Sequence, residues 1–232
     1  MKRIHIVDSL RGFTIISMVL FHLLYNINFY ETINWYNGTL INKIWQFSIA
    51  FSFFLISGIS SNFLKDLANL KRGVKTSILG FLISLVTYFF AKDQLIIWGV
   101  LNGLGLSMIL GSFLNKYFKM PIKLSIIFLI IFIFTYKIPM GSLYNLFAKL
   151  YDSNLFILGF PSSNFSSSDY FPILPWIFAY FLGMTFGKFL LANDFFTYKG
   201  KENFLTKIGK HSLAIYLLHQ IILYPLVTIL MK

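Results

Sequence analysis

The feature that most constrains this chain is a series of apolar runs, each about the length that crosses a bilayer. A transmembrane helix needs about 20 consecutive apolar residues. Runs of that order lie near residues 12–30, 44–64, 75–91, 95–114, 122–138, 171–191 and 211–231. Charge and turn residues separate them: Asn37-Gly38, Lys71-Arg72-Gly73, Lys92-Asp93, Lys116 to Pro121, and Lys199-Gly200-Lys201. The spacing predicts an all-α, polytopic integral membrane protein with about seven transmembrane helices, organised as one domain over 1–232. Composition agrees. Hydrophobic residues make up 57% and charged residues 12%, about half the charged share of a soluble domain.

Lys and Arg distribute unevenly over the loops this layout creates. Fifteen fall on the side that carries the N-terminus and five on the other. Cytoplasmic loops hold the excess of basic residues, so the N-terminus is expected in the cytoplasm. The net charge of +12 is then mainly topogenic, and nucleic acid is not an expected partner. The run from Gly12 to Phe29 ends without a small-residue cleavage site, which marks a retained helix rather than a removed signal peptide. Cysteine is absent, which excludes disulfides, thiolate nucleophiles and Cys-ligated zinc; no metal is expected. The segment near 139–170 contains Pro139, Gly141, Gly159, Pro161 and a Ser-rich stretch, so it is expected to be irregular and extracytoplasmic.

Polar residues inside apolar runs carry the functional information, because burying them in lipid is unfavourable unless they pair or work. The first helix holds Asp8 and Arg11 just before its apolar run, and His22 and Asn26 within it. Eleven helical residues turn through about 1100°, within about 20° of three full turns, so Arg11 and His22 share a face about 16 Å apart along the axis. Arg11 then sits at the cytoplasmic mouth as an anion-binding group or a membrane anchor. Asp8, one turn before it, orients the guanidinium or caps the helix. His22 lies deep, as a general base or as an interhelical hydrogen-bond partner. In the last run Ser212, Tyr216, His219 and Gln220 follow one face, either as packing groups or as an active-site wall. Asp169 precedes the sixth run as an N-cap, or as a carboxylate facing an extracytoplasmic ligand beside Trp176. Pro172 reads as the helix start and Pro175 as a bend near it. The pairs Gly99/Gly103 and Gly183/Gly187 read as packing contacts. Ser57 to Asn62, Arg11 and the Lys71-Arg72-Lys75 loop together offer phosphate ligands, although no Walker or dinucleotide motif is present.

The order of several short segments resembles the transmembrane acyltransferase superfamily. They are Asp8-Ser9-Leu10-Arg11-Gly12 with Met18 and His22, Phe54 to Ser61, Trp98 to Leu106, Asp169 to Trp176, and Ile208 to Gln220. More narrowly, the chain is similar to small bacterial relatives of the heparan-glucosamine N-acetyltransferase catalytic domain. The resemblance implies transfer of an acyl group, usually acetyl, from cytoplasmic acetyl-CoA to an amino or hydroxyl group of a sugar or glycan across the membrane. Acetyl-CoA enters as a co-substrate. His22 would be the base or transient acyl carrier, because the chain has no histidine between residues 23 and 210, where animal relatives use one. Asp8, Arg11, Arg72 and Asn102 would face the donor, and small bacterial members often carry His where Asn102 stands. Asn26, Asp169, Trp176, His219 and Gln220 would face the acceptor. The implied setting is a bacterial plasma membrane, with the lipid bilayer, acyl-CoA and the acceptor as partners and a homodimer left open. The rival readings are a small-solute transporter or flippase, and a structural membrane subunit. Flux without coenzyme A consumption would mark the first, and tolerance of apolar substitutions at Arg11, His22 and His219 the second.

Overall fold

The computed structural model describes residues 4–118, 120–197 and 199–231. Lys2, Arg3, Lys119 and Lys232, which enter the charge asymmetry, lie outside the described residues. Among the described residues the chain is helical: α1 (His5–Ile27), α2 (Leu40–Ser61), α3 (Asp66–Phe90), α4 (Val100–Phe118), α5 (Leu124–Thr135), α6 (Tyr144–Asp152), α7 (Ile173–Ala192), α8 (Phe204–Lys210) and α9 (Ser212–Leu230). Each of the seven apolar runs carries a helix. Five helices, α1, α2, α3, α7 and α9, are long and apolar enough to cross a membrane. Among the described residues a pair bent by 64°, 124–140 with 144–152, makes six if it is one broken span and stays outside the count if it is a re-entrant loop. This is a multi-pass membrane protein. Its lipid-facing surface shows directly in α3, α5 and α9, where Phe81, Leu85, Phe89, Ile126, Phe134, Ile221 and Ile229 all stand exposed. In lipid an exposed apolar side chain has no need of cover.

The chain forms two compact units, residues 1–56 with 195–232, and residues 57–194. In the first, α1 buries Ile15, Met18 and Phe21 with Tyr36 and Ile49. The Tyr36 hydroxyl donates to the Phe21 carbonyl at 3.0 Å, and the Trp45 indole donates to Ser17 at 2.8 Å. These contacts fold the 28–39 loop and the start of α2 back along α1. Gly38, with φ +68°, provides the turn before α2. The short α8 seats against the first turns of α1 because both faces lack side chains there. A Cβ on Gly12 would strike the Leu205 carbonyl, and one on Gly209 the Asp8 carbonyl. Asn203 caps α8 in a reciprocal capping box with Thr206, and Ser9 joins that cap at 2.9 Å from Thr206 Oγ1.

In the second unit α3 and α4 pack through glycine, with a Cβ on Gly73 only 2.8 Å from the Gly105 carbonyl. That contact corrects the sequence reading of Lys71-Arg72-Lys75 as a loop. All three lie inside α3, which starts nine residues earlier than expected, and Gly73 is a contact point rather than a breaker. The Ser57–Asn62 stretch is also helix end rather than open ligand. Ser57, Ser60 and Ser61 are buried, Ser61 donates to the Gly58 carbonyl at 2.7 Å, and Asn62 donates to the Met184 carbonyl at 3.0 Å. Gly187 lies against Ile59 and Asn62, and α5 meets α7 through Phe128, Phe132, Phe181 and Trp176.

Residues 139–170 are irregular as expected but include the nine-residue α6 and a bridge between Leu155 and Phe160. A second correction concerns Asp169. Its carboxylate caps α4, accepting the Val100 N–H at 3.1 Å, whereas α7 has Pro172 at its N-cap position. The physical reason lies upstream of α4. Residues 95–99 are not helical, Trp98 bridges to Tyr170, and the free N–H groups of α4 therefore meet the 168–171 segment. Leu174 has non-helical torsions and precedes a cis Pro175, which places a break inside the first turn of α7.

Candidate functional site

In the first unit α1 and α9 bring together a continuous polar chain. His22 and Asn26 are one turn apart on α1, and His219 and Gln220 are adjacent on α9. Gln220 Nε2 lies 3.1 Å from His22 Nδ1, and Asn26 Nδ2 donates to Gln220 Oε1 at 2.9 Å. The His22 and His219 rings face each other at 4.8 Å between centroids, tilted by 54°. Phe21 and Tyr25 present ring edges to His22 at 5.7 and 6.4 Å. Two residues set 198 positions apart thus form one hydrogen-bonded group, in a setting where an unpaired polar group is expensive.

The hydrogen bonds fix more than position. His219 Nδ1 lies 2.5 Å from the Tyr216 carbonyl, which can only accept, so Nδ1 donates and His219 Nε2 carries the lone pair. That nitrogen is buried and has no hydrogen-bond partner. His22 is different. Its Nδ1 is engaged by Gln220, while its Nε2 makes no hydrogen bond among the described residues. Among the described residues no group of three or more His, Asp or Glu side chains is arranged to hold a metal.

At the N-terminal end of α1, Arg11 Nη1 donates to Asp8 Oδ1 at 2.9 Å. Asp8 is 5% exposed and does not cap α1, whose N-cap position is Ile4. Its carboxylate holds the guanidinium instead. Arg11 remains partly exposed, with a side chain at 22%, so the charge is fixed in direction without being buried.

The second unit holds Arg72, Asn102, Asp169 and Trp176. Asn102 is 1% exposed, and both polar atoms of its amide lack hydrogen bonds; it faces Gly80 of α3, which leaves room for it. Arg72 lies in α3 one turn after Asn69, whose Nδ2 donates to Tyr180 and Ser112, each at 2.9 Å. Asp169 is tucked over the α4 N-terminus, and burial pushes its carboxyl up to about 6 against the opposing pull of the Val100 N–H. Trp176 packs on Phe132 and Phe171. The sequence reading did not single out Asn69, Ser112 and Tyr180. Asn69 falls three residues before Arg72 on the same helical face, which was the available signal; its partners are 43 and 111 residues away.

The family model for heparan-alpha-glucosaminide N-acetyltransferase, catalytic, matches residues 3–221. No curated protein and no solved structure matches the chain.

Proposed function

We propose a reaction for a chain that belongs to the heparan-alpha-glucosaminide N-acetyltransferase catalytic family. The protein is a membrane acyltransferase. It moves an acetyl group from cytoplasmic acetyl-CoA to an amino or hydroxyl group of a sugar or glycan on the far side, in a bacterial plasma membrane with the N-terminus inside. The observation that carries this reading is the His22 imidazole, bonded at Nδ1 to Gln220 and without a hydrogen bond at Nε2, within the apolar helix α1.

The chemistry follows from that nitrogen. As the acceptor's lone pair bonds to the acetyl carbonyl carbon, His22 Nε2 takes the acceptor's proton. The C–S bond then breaks, its electron pair leaves on sulfur, and the thiol recovers the proton from Nε2. Positioned general-base help contributes about 10²–10⁴ in rate, and holding the partners together removes more of the barrier. Arg11, steered by Asp8, is suited to an anionic group of the donor. Arg72 and Asn102 are assigned to the donor side, and Asn26, Asp169, Trp176, His219 and Gln220 to the acceptor side. The unpaired amide of Asn102 supports its role, since a buried amide without partners is otherwise an unexplained loss of stability.

Coenzyme A release by the purified protein tests the reading, with acetyl-CoA and a panel of amino sugars and cell-wall glycans. His22→Ala abolishes turnover while keeping the melting temperature near wild type. Equal turnover in the two proteins overturns the assignment. Solute flux in liposomes without coenzyme A release replaces it with a carrier.

A further inference from the structure

The amide pair beside His22 has a property that neither its packing nor the reaction accounts for. Asn26 is 2% exposed, and its Oδ1 is buried with no hydrogen bond, although Nδ2 of the same amide donates to Gln220 at 2.9 Å. In this arrangement the direction of every bond is set. Asn26 donates to Gln220 Oε1, Gln220 Nε2 donates to His22 Nδ1, and a neutral His22 ring carries its proton on Nε2. Such a ring donates at its open nitrogen and cannot take a proton there.

Turning both terminal amides by 180° reverses the chain. His22 Nδ1–H then donates to Gln220 Oε1, and Gln220 Nε2 donates to Asn26 Oδ1. Two hydrogen bonds exist before the turn and two after it. The oxygen that lacks a partner gains one, and Asn26 Nδ2 gives one up. Neither direction is preferred by the number of bonds, and amide rotation moves no backbone. In the reversed direction His22 Nε2 carries a lone pair and is a base.

We infer that Asn26 and Gln220 are positioning residues that select the tautomer of His22, giving it a hydrogen-bond-donating form at Nε2 and a proton-accepting form. The inference rests on His22 being the base of the proposed reaction. It assigns the two amides a role apart from contact with the acceptor. During transfer the acceptor's proton passes to His22 Nε2 and on to the departing sulfur, while Nδ1–H stays on Gln220 Oε1 throughout.

The test uses full-length protein labelled with ¹⁵N in histidine, in detergent micelles, with His22 signals identified by their loss in His22→Ala. Nitrogen shifts distinguish a protonated from an unprotonated ring nitrogen and read the tautomer without any turnover. Asn26→Asp, studied at alkaline pH where the carboxyl is ionised, replaces an amide by a group that only accepts, which holds Gln220 with Oε1 toward the ring. The expected result is a His22 tautomer ratio shifted toward Nδ1–H. Gln220→Met keeps the side-chain length and removes both hydrogen bonds. The expected result is a changed tautomer ratio and a kcat lowered by about tenfold or more, with KM for acetyl-CoA little changed. Gln220→Met also carries the test if Asn26→Asp does not fold. Unchanged His22 nitrogen shifts in the folded variants overturn the inference, as does full kcat in Gln220→Met. Full turnover in His22→Ala instead overturns the reaction beneath it, and the nitrogen shifts then still report whether the amides set the ring.

Discussion

Gly209→Ala tests the seating of α8 on α1, on which the geometry at the start of the first helix depends. A Cβ at residue 209 would lie 2.8 Å from the Asp8 carbonyl carbon and 2.9 Å from the Gly12 nitrogen. Carbon atoms sit comfortably at about 3.5–4.0 Å, and both obstacles are backbone, so neither can swing aside. The Asp8 carbonyl oxygen lies closer still, so the two helices must part by more than about 1 Å. That separation stretches the 2.9 Å contact between Ser9 and Thr206 beyond useful hydrogen-bond length. Overpacking of this kind is unfavourable by about 1–3 kcal/mol, and the lost hydrogen bond adds about 1 kcal/mol. For a chain of this size about 2–4 °C of melting temperature is lost per kcal/mol. Gly209→Ala is therefore expected to melt about 4–16 °C below wild type in detergent. Leu10→Ala is the control. Leu10 is 50% exposed on the same helix, faces outward, and is expected to change stability by no more than about 0.5 kcal/mol. If Gly209→Ala melts within a degree of wild type, the close approach of α8 to α1 is not what holds this end together.

The remaining expectations address caps, charge and the buried amide. Asn203→Ala removes the side chain that accepts the Thr206 N–H at 2.8 Å, and a loss of about 1 kcal/mol is expected from thermal melts. Asp169 has its carboxyl raised from 3.8 to about 6 by burial, so the folded state holds a proton that the unfolded chain releases earlier. Its contribution is complete below about 3.8 and lost as pH rises through about 6, by up to about 3 kcal/mol. Asp169→Asn should flatten that part of the stability–pH curve, and an unchanged curve would refute the assignment. Asn102→Leu replaces an unpaired buried amide with an apolar group, so stability should hold or rise while coenzyme A release falls. Retained activity would show that Asn102 does not serve the donor. Glu202→Gln breaks an exposed ion pair with Lys210, and no measurable change in melting temperature is expected.

The membrane architecture was legible because lipid makes apolar length a direct signal, and each of the seven runs carries a helix. Boundaries were less legible where glycine or charge had a tertiary purpose. Gly73 reads as a turn residue in sequence, yet it marks where α3 touches α4. Asp169 reads as a cap for the helix that follows it, since local spacing favours the near partner. The actual partner, Val100, is 69 residues upstream, and nothing in sequence spacing reports a pairing of two loops. The polar stripe on α9 and the deep histidine of α1 were both visible as exceptions to apolarity. Which atoms they share was not, because direction and tautomer belong to the assembled pair.

The contact between the 95–100 and 167–171 segments has a further consequence. Ser168 N donates to the Leu95 carbonyl and Phe171 N to the Trp98 carbonyl, each at 2.9 Å, while Ile97 N reaches Ser167 Oγ at 3.0 Å. Each stretch supplies what the other's backbone lacks, so two connectors that look dispensable in the primary structure behave as a single clasp. Their amides should exchange with deuterium as slowly as those of a helix. Tags and insertions should be rejected at both places together, while the open turn at Gly38 accepts them.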